Sequence, residues 1–188
     1  MVSISVWNPK GGVGKSTLSI NLAGAMVASG KTALISDLDP QGSSVSLSKE
    51  GKFPFDVVQE IPKTSDIDIH IIDHPPGFSD IPTTKVVVFP LRPSRPDMEA
   101  GIEALRALKG RVVIPVLNDV DTRRADDLQL IQAARKMEIF KNMRLVKSRT
   151  VFRRAYNQAV TIFDESMNGV YAVKDARLEI KRILARSK

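Results

Sequence analysis

Short apolar runs alternate with longer amphipathic ones along this chain. Val2-Ser3-Ile4-Ser5-Val6-Trp7 has the make-up of a buried strand, and ten polar and glycine-rich residues follow it. Leu18, Leu22, Ala25 and Met26 then recur at helical spacing, which predicts a helix over 16–29 stopped by Gly30. Further strands are expected at 32–35, 67–73, 85–90 and 111–118. Helices are expected over 97–108 (Asp97 as cap; Met98, Ile102, Leu105 and Leu108 inward), 121–137 (Leu128, Ile131 and Ala134 inward) and 172–185 (Ala176, Ile180, Ile183 and Leu184 inward). Gly51, Pro54 and Pro62 break residues 45–66 into one short helix and connections. Apolar strands alternating with helices predict an α/β fold, a mostly parallel twisted sheet with helices on both faces. With no internal repeat or linker, the 188 residues are expected to form one domain, 1–188.

The first strand runs into Asn8-Pro9-Lys10-Gly11-Gly12-Val13-Gly14-Lys15-Ser16-Thr17, which opens directly into a helix. Strand, glycine-rich loop and helix in that order make a phosphate cradle: the glycines let backbone N–H groups approach a polyphosphate, and the helix N-terminus adds partial positive charge. Gly11, Gly12, Val13, Gly14, Lys15, Ser16 and Thr17 are the candidate nucleotide ligands. Lys15 would reach the terminal phosphates and the Ser16 hydroxyl would bind magnesium. The common phosphate loop has glycine where Pro9 stands, and here a second lysine, Lys10, heads the loop.

Two further polar loops follow apolar strands. Ser36-Asp37-Leu38-Asp39-Pro40-Gln41-Gly42-Ser43-Ser44 leaves the second, and Ile71-Ile72-Asp73-His74-Pro75-Pro76-Gly77 closes another on an acid. Ligands of open α/β sheets collect at the C-terminal edge of the strands, and a carboxylate there can hold magnesium through water. Lone histidines are more often structural, which is the expectation for His70 and His74.

Lys10 to Thr17 resembles the deviant Walker A motif of the ParA/MinD family of ATPases. The Asp-x-Asp-Pro-Gln run resembles that family's switch I, and Ile71 to Gly77 its Walker B and switch II region. The resemblance is closest to small plasmid-partition ATPases of the ParF type. It implies a deviant P-loop NTPase fold and slow ATP hydrolysis with magnesium. It makes Lys10, Lys15 and Asp39 catalytic, with Lys10 crossing a dimer interface to the partner's nucleotide and Asp39 orienting water. Ser16, Asp39 and Asp73 become the metal-side residues, and Asn118 an adenine contact. It further implies an ATP-dependent homodimer or higher polymer, non-specific DNA as ligand, and a ParB-type centromere-binding partner.

Charge sharpens this picture. Of the net +7, residues 1–94 carry 8 Lys/Arg against 9 Asp/Glu, and residues 95–188 carry 20 against 12. A basic C-terminal half fits a polyanion, and Arg149, Arg153, Lys174, Arg177, Lys181 and Arg182 are the DNA-contact candidates. The absence of cysteine removes disulfides and thiolate metal sites, including the cysteine-ligated iron protein branch of the superfamily. With no apolar leader and no run long enough to span a bilayer, a cytoplasmic, nucleoid-associated protein is expected, with no membrane partner. Two alternatives stay open: a MinD-like membrane-associated positioning ATPase using the amphipathic end of the chain, and an ATP-dependent filament or adaptor.

Overall fold

The computed structural model describes residues 1–63 and 66–185. Among them lie seven strands: β1 (Val2–Val6), β2 (Ala33–Asp37), β3 (Asp56–Val58), β4 (Ile69–Asp73), β5 (Val86–Leu91), β6 (Val112–Val120) and β7 (Arg144–Lys147). They form one sheet in the order β3-β2-β4-β1-β5-β6-β7, and every pairing is parallel. The helices are α1 (Lys15–Val27), α2 (Ser43–Ser48), α3 (Arg95–Arg106), α4 (Ala125–Arg135), α5 (Thr150–Asn157) and α6 (Val173–Leu184).

The two-residue period of the strands sorts the core into two layers. Ile4 and Val6 of β1, Ile35 of β2, Ile71 of β4 and Val88 of β5 face one way, and pack with α1, α5 and α6. Trp7, Val87, Phe89 and Leu117 face the other way against Met98, Ala104 and Leu105 of α3 and Ile131 and Ala134 of α4. Helices therefore cover both faces, as a buried parallel sheet requires. On the second face, β1, β2 and β4 present polar groups to loops: Ser36 Oγ meets His70 Nε2 at 2.8 Å and donates to Glu60 O. This contact makes His70 the structural strand residue its pattern predicts.

Some boundaries differ from expectation. Helix α3 begins at Arg95, and Ser94 rather than Asp97 is its cap, its hydroxyl accepting from Asp97 N. Leu128 is exposed, and the buried residue one position earlier in α4 is Asp127, which accepts from Asp121 N and closes the turn into the helix. Strand β6 continues past Asn118 to Val120 through a bulge, with Asp119 at φ 63°. The sequence pattern does not reveal β3 or β7, both short strands at the sheet's edges. Residues 64 and 65, within the segment read as connections, and Arg186 to Lys188 lie outside the described residues.

Candidate nucleotide-binding site

The C-terminal ends of β1, β2 and β4 lie side by side, with Val6 in register with Asp73 and Asp73 with Asp37. Residues 7–14 leave β1 here and turn into α1. Gly12 and Gly14 hold left-handed backbone at φ 73° and 93°, and a Cβ on Gly14 would stand 2.2 Å from Asn118 Nδ2. Only glycine satisfies both demands at position 14.

Side chains from several elements brace this loop. Asn8 donates to Pro90 O at 2.7 Å and accepts from Lys10 N at 2.8 Å. Asn118 donates to Val13 O at 2.9 Å, and Arg92 donates from Nε and Nη2 to Gly12 O. Arg92 is also ion-paired with Asp119. Asn118 thus lies against the loop, and beside it a cleft of about 460 Å³ runs between Gly14, Thr17, Arg92, Phe152 and Tyr156. Asn8 and Arg92 are site residues that sequence reasoning missed; the strand-end position of Arg92, after the apolar run 86–91, is the one signal that could have found it.

Lys15 is buried, and its ammonium donates to Lys10 O at 3.1 Å, curling over the loop. Burial lowers its pKa, while Asp73 and Asp39 act the other way. Asp73, almost wholly buried, has its pKa pushed up to about 7: burial is the main cause and neighbouring Asp37 adds to it, against the Ser16 hydroxyl, the Lys15 ammonium and the Ser19 hydroxyl. Its Oδ2 accepts from Ser44 Oγ at 3.4 Å, and its Oδ1 has no hydrogen-bond partner among the described residues. An orphaned buried carboxylate oxygen next to Ser16 fits a cation that the sequence pattern assigns to Ser16 and Asp73. Among the described residues no group of three or more His, Cys, Asp or Glu could hold a metal by itself. The phosphates and water would supply the remaining oxygens, as is usual for magnesium.

Asp39 sits on the loop after β2 with Oδ1 accepting from Gln41 N at 3.0 Å, half-buried at the rim near Lys15. Asp37 is buried, and its carboxylate accepts from Ser44 N and Val45 N at 2.9 and 3.1 Å, satisfying the first turn of α2, and from Asp39 N at 3.2 Å. Both acids of this loop are expected at the site from their place at the strand edge, with a specific role implied for Asp39 alone; Asp37 ends β2 just as Asp73 ends β4. His74 is buried with both ring nitrogens engaged: Nδ1 meets Asp80 Oδ2 at 2.8 Å and Nε2 meets Ser5 Oγ at 2.9 Å, which Thr84 Oγ1 also reaches. The ring fastens the loop after β4 to β1. Lys10 stands half exposed at the mouth of the loop, ion-paired with Asp97 at the start of α3.

The six DNA candidates divide. Arg153, Lys174, Lys181 and Arg182 are exposed. Arg149 is spent inside the fold, where its guanidinium donates to Glu179 at 2.5 and 2.9 Å. Arg177 likewise donates to Ile162 O, Asp164 O and Asn168 Oδ1 and stacks over Phe163. Both guanidiniums are thus held by acceptors of their own chain, whereas the other four candidates stand at the surface.

A parallel sheet, a glycine loop opening a helix and paired acids at neighbouring strand ends define an α/β P-loop nucleotide-binding domain. The chain belongs to the CobQ/CobB/MinD/ParA nucleotide binding domain family, whose model matches residues 4–161. It is 31% identical over 128 residues to the maintenance of carboxysome distribution protein A of Gloeobacter kilaueensis, covering 60% of this chain and 57% of that protein. It is 54% identical over 43 residues to the chromosome-partitioning ATPase Soj of Thermus thermophilus, 23% of this chain and 17% of that one. These matches span little more than half of the first relative and under a fifth of the second. In fold it matches the ATP complex of a McdA variant from Cyanothece with a TM-score of 0.72 over 100% of this chain and 98% of that one, at 14% identity.

Proposed function

We propose that this chain is a ParA-type ATPase that partitions DNA: Mg-ATP closes two copies face to face, the dimer binds DNA non-specifically, and a ParB-type centromere-binding protein accelerates hydrolysis. The observation that carries the reading is Lys10. Lys15 already serves the phosphate cradle from within, so a second lysine half exposed at its mouth has no need to serve the same nucleotide. From there it would neutralise phosphate charge on a facing copy. Nucleotide bound at the interface makes dimerisation conditional on the γ-phosphate, and that condition is the switch.

Hydrolysis would rest on positioning and electrostatics. The amides of Gly11 to Gly14 and the Lys15 ammonium would hold the phosphates, and Asp39 would orient the attacking water. Ser16 directly, and Asp73 through water, would hold magnesium, which draws charge off the phosphates. Arg153, Lys174, Lys181 and Arg182 would supply phosphate contacts, doubled in a dimer. Such a machine would work in the cytoplasm on the nucleoid, as one domain.

A second reading, a positioning ATPase for a protein cargo, is favoured by the 31% identity to a carboxysome distribution protein. The burial of Val173, Ala176, Ile180 and Ile183 of α6 in the core supports the DNA reading over the membrane one. Among the described residues no helix is long and apolar enough to cross a membrane.

The test is binding to a non-specific duplex with ATP, ADP or no nucleotide, at low and high salt, for wild type and Lys15→Ala. Tight binding only with ATP, lost in the variant and at high salt, supports the proposal. No DNA binding under any condition overturns it. Sedimentation of the same samples separates dimers from filaments.

A further inference from the structure

At the N-terminal edge of the sheet, opposite the nucleotide cradle, the helical layer over α1 and α6 leaves a gap. Ile4 of β1 lies beside Val86 of β5, and Val86 beside Val112 of β6, so their side chains form one apolar row on that face. Strand β7 begins level with Val116, which leaves β6 without an outer neighbour before that point among the described residues. The C-terminal end of α1 (Met26) borders the row on one side and that of α6 (Leu184) on the other. Together they enclose a cleft of about 980 Å³, against about 460 Å³ for the cleft beside the phosphate loop. Val112 is 52% exposed at its edge. Parallel sheets bury both faces, and an apolar surface left open in this way marks an interaction site.

The charges around the cleft are of one sign. Among the described residues its lining includes Lys31, Lys85, Arg144 and Lys181 and no acid. Arg144 donates to Ala185 O and closes one end, and Lys181 lies over the Phe163 ring. Lys31 and Lys85 are exposed on the rim. The acid acting on Lys31, Asp68, lies outside the cleft and accepts from Thr32 N and Oγ1.

We infer that this cleft docks an acidic amphipathic helix of a partner protein, its apolar face on Val86, Val112 and Leu184 above the buried Ile4 and its carboxylates on Lys31 and Lys85. A helix is the element that completes a layer between two helices on a parallel sheet. Acidic flanks follow from charge complementarity, and a second copy of this chain would bring like charges together. A nucleic acid would have no use for the apolar floor. The inference goes beyond the nucleotide reading and does not depend on it.

The experiment uses the full chain with methyl-labelled Ile, Leu and Val. It is titrated with a synthetic 18-residue helical peptide bearing leucines on one face and glutamates on the flanks, and with the same peptide carrying lysines instead. Saturable shifts of the Ile4, Val86 and Val112 methyls with the glutamate peptide are expected. Binding should weaken at least tenfold in Val112→Asp and in Lys31→Glu/Lys85→Glu, and stay unchanged in Arg153→Glu. The proposal is overturned if these methyls do not shift, or if the lysine peptide binds as well. It is equally overturned if anionic phosphatidylglycerol vesicles move these methyls and the peptide does not, or if sedimentation shows that self-association moves them.

Discussion

Asp73 resists carrying a charge in the nucleotide-free protein, because burial and the neighbouring Asp37 push its pKa up to about 7. In the unfolded chain an aspartate titrates near 4, so between those values the folded state binds the extra proton and stability falls as pH rises. Without nucleotide and magnesium, Asp73→Asn should therefore be more stable than wild type at pH 8, by roughly 2–4 kcal/mol. The gap should close as pH falls from 7 towards 4, and denaturant melts across that range check it. Magnesium with nucleotide should stabilise wild type more than the variant, because only the carboxylate repays its burial with a cation. Removing a buried hydrogen-bonded group leaves its partners unsatisfied, so His74→Ala and Ser5→Ala should each cost on the order of 1–3 kcal/mol. A double-mutant cycle should give less than the sum of the two, since both substitutions break the same Ser5–His74 contact.

Between elements, Glu179 of α6 ties together the C-terminal half, accepting from Lys147 N at the end of β7 and from the Arg149 guanidinium at the start of α5. Both side chains of this pair are nearly buried, so Glu179→Ala should destabilise by about 3–5 kcal/mol, read from chemical denaturation, by leaving a cation without its partner. Arg149→Met with Glu179→Leu should recover most of that loss. This pair also shows where the sequence stops being legible. Arg149 sits among basic residues and reads as a nucleic-acid contact, because its acceptor lies 30 positions away and only folding brings them together. Strand β7, Arg144-Leu145-Val146-Lys147, is too short and too polar at its ends to show a period. By contrast β1, β2, β4 and the loop 8–17 are legible, because each strand concentrates aliphatic residues (Val2, Ile4, Val6; Ala33, Leu34, Ile35; Ile69, Ile71, Ile72) between polar turns and the phosphate loop has a residue order set by its ligand. Even there the reading stops at the ligand side: Asn8 and Arg92, which brace the loop from behind, carry no motif.

If two copies close face to face on ATP as proposed, contacts within the single chain must oppose that closure. In the single chain Lys10 is paired with Asp97, which Ser94 also contacts at 2.5 Å at the start of α3. If Lys10 must reach the nucleotide of a facing copy, this ion pair has to open first, and its strength opposes dimerisation. Asp97 is buried while Lys10 is half exposed, so the lysine is the mobile member and the carboxylate the fixed anchor. Asp97→Asn keeps the shape and the Ser94 contact while removing the charge. It should raise the ATP-dependent dimer fraction several-fold in sedimentation, with little change in the monomer's affinity for ATP. Lys10→Ala should do the reverse, binding ATP as a monomer and failing to dimerise at any nucleotide concentration. If both variants dimerise as wild type does, Lys10 does not cross to the partner, and the switch has to be sought in the loop of Asp39 or in the segment that His74 fastens to β1.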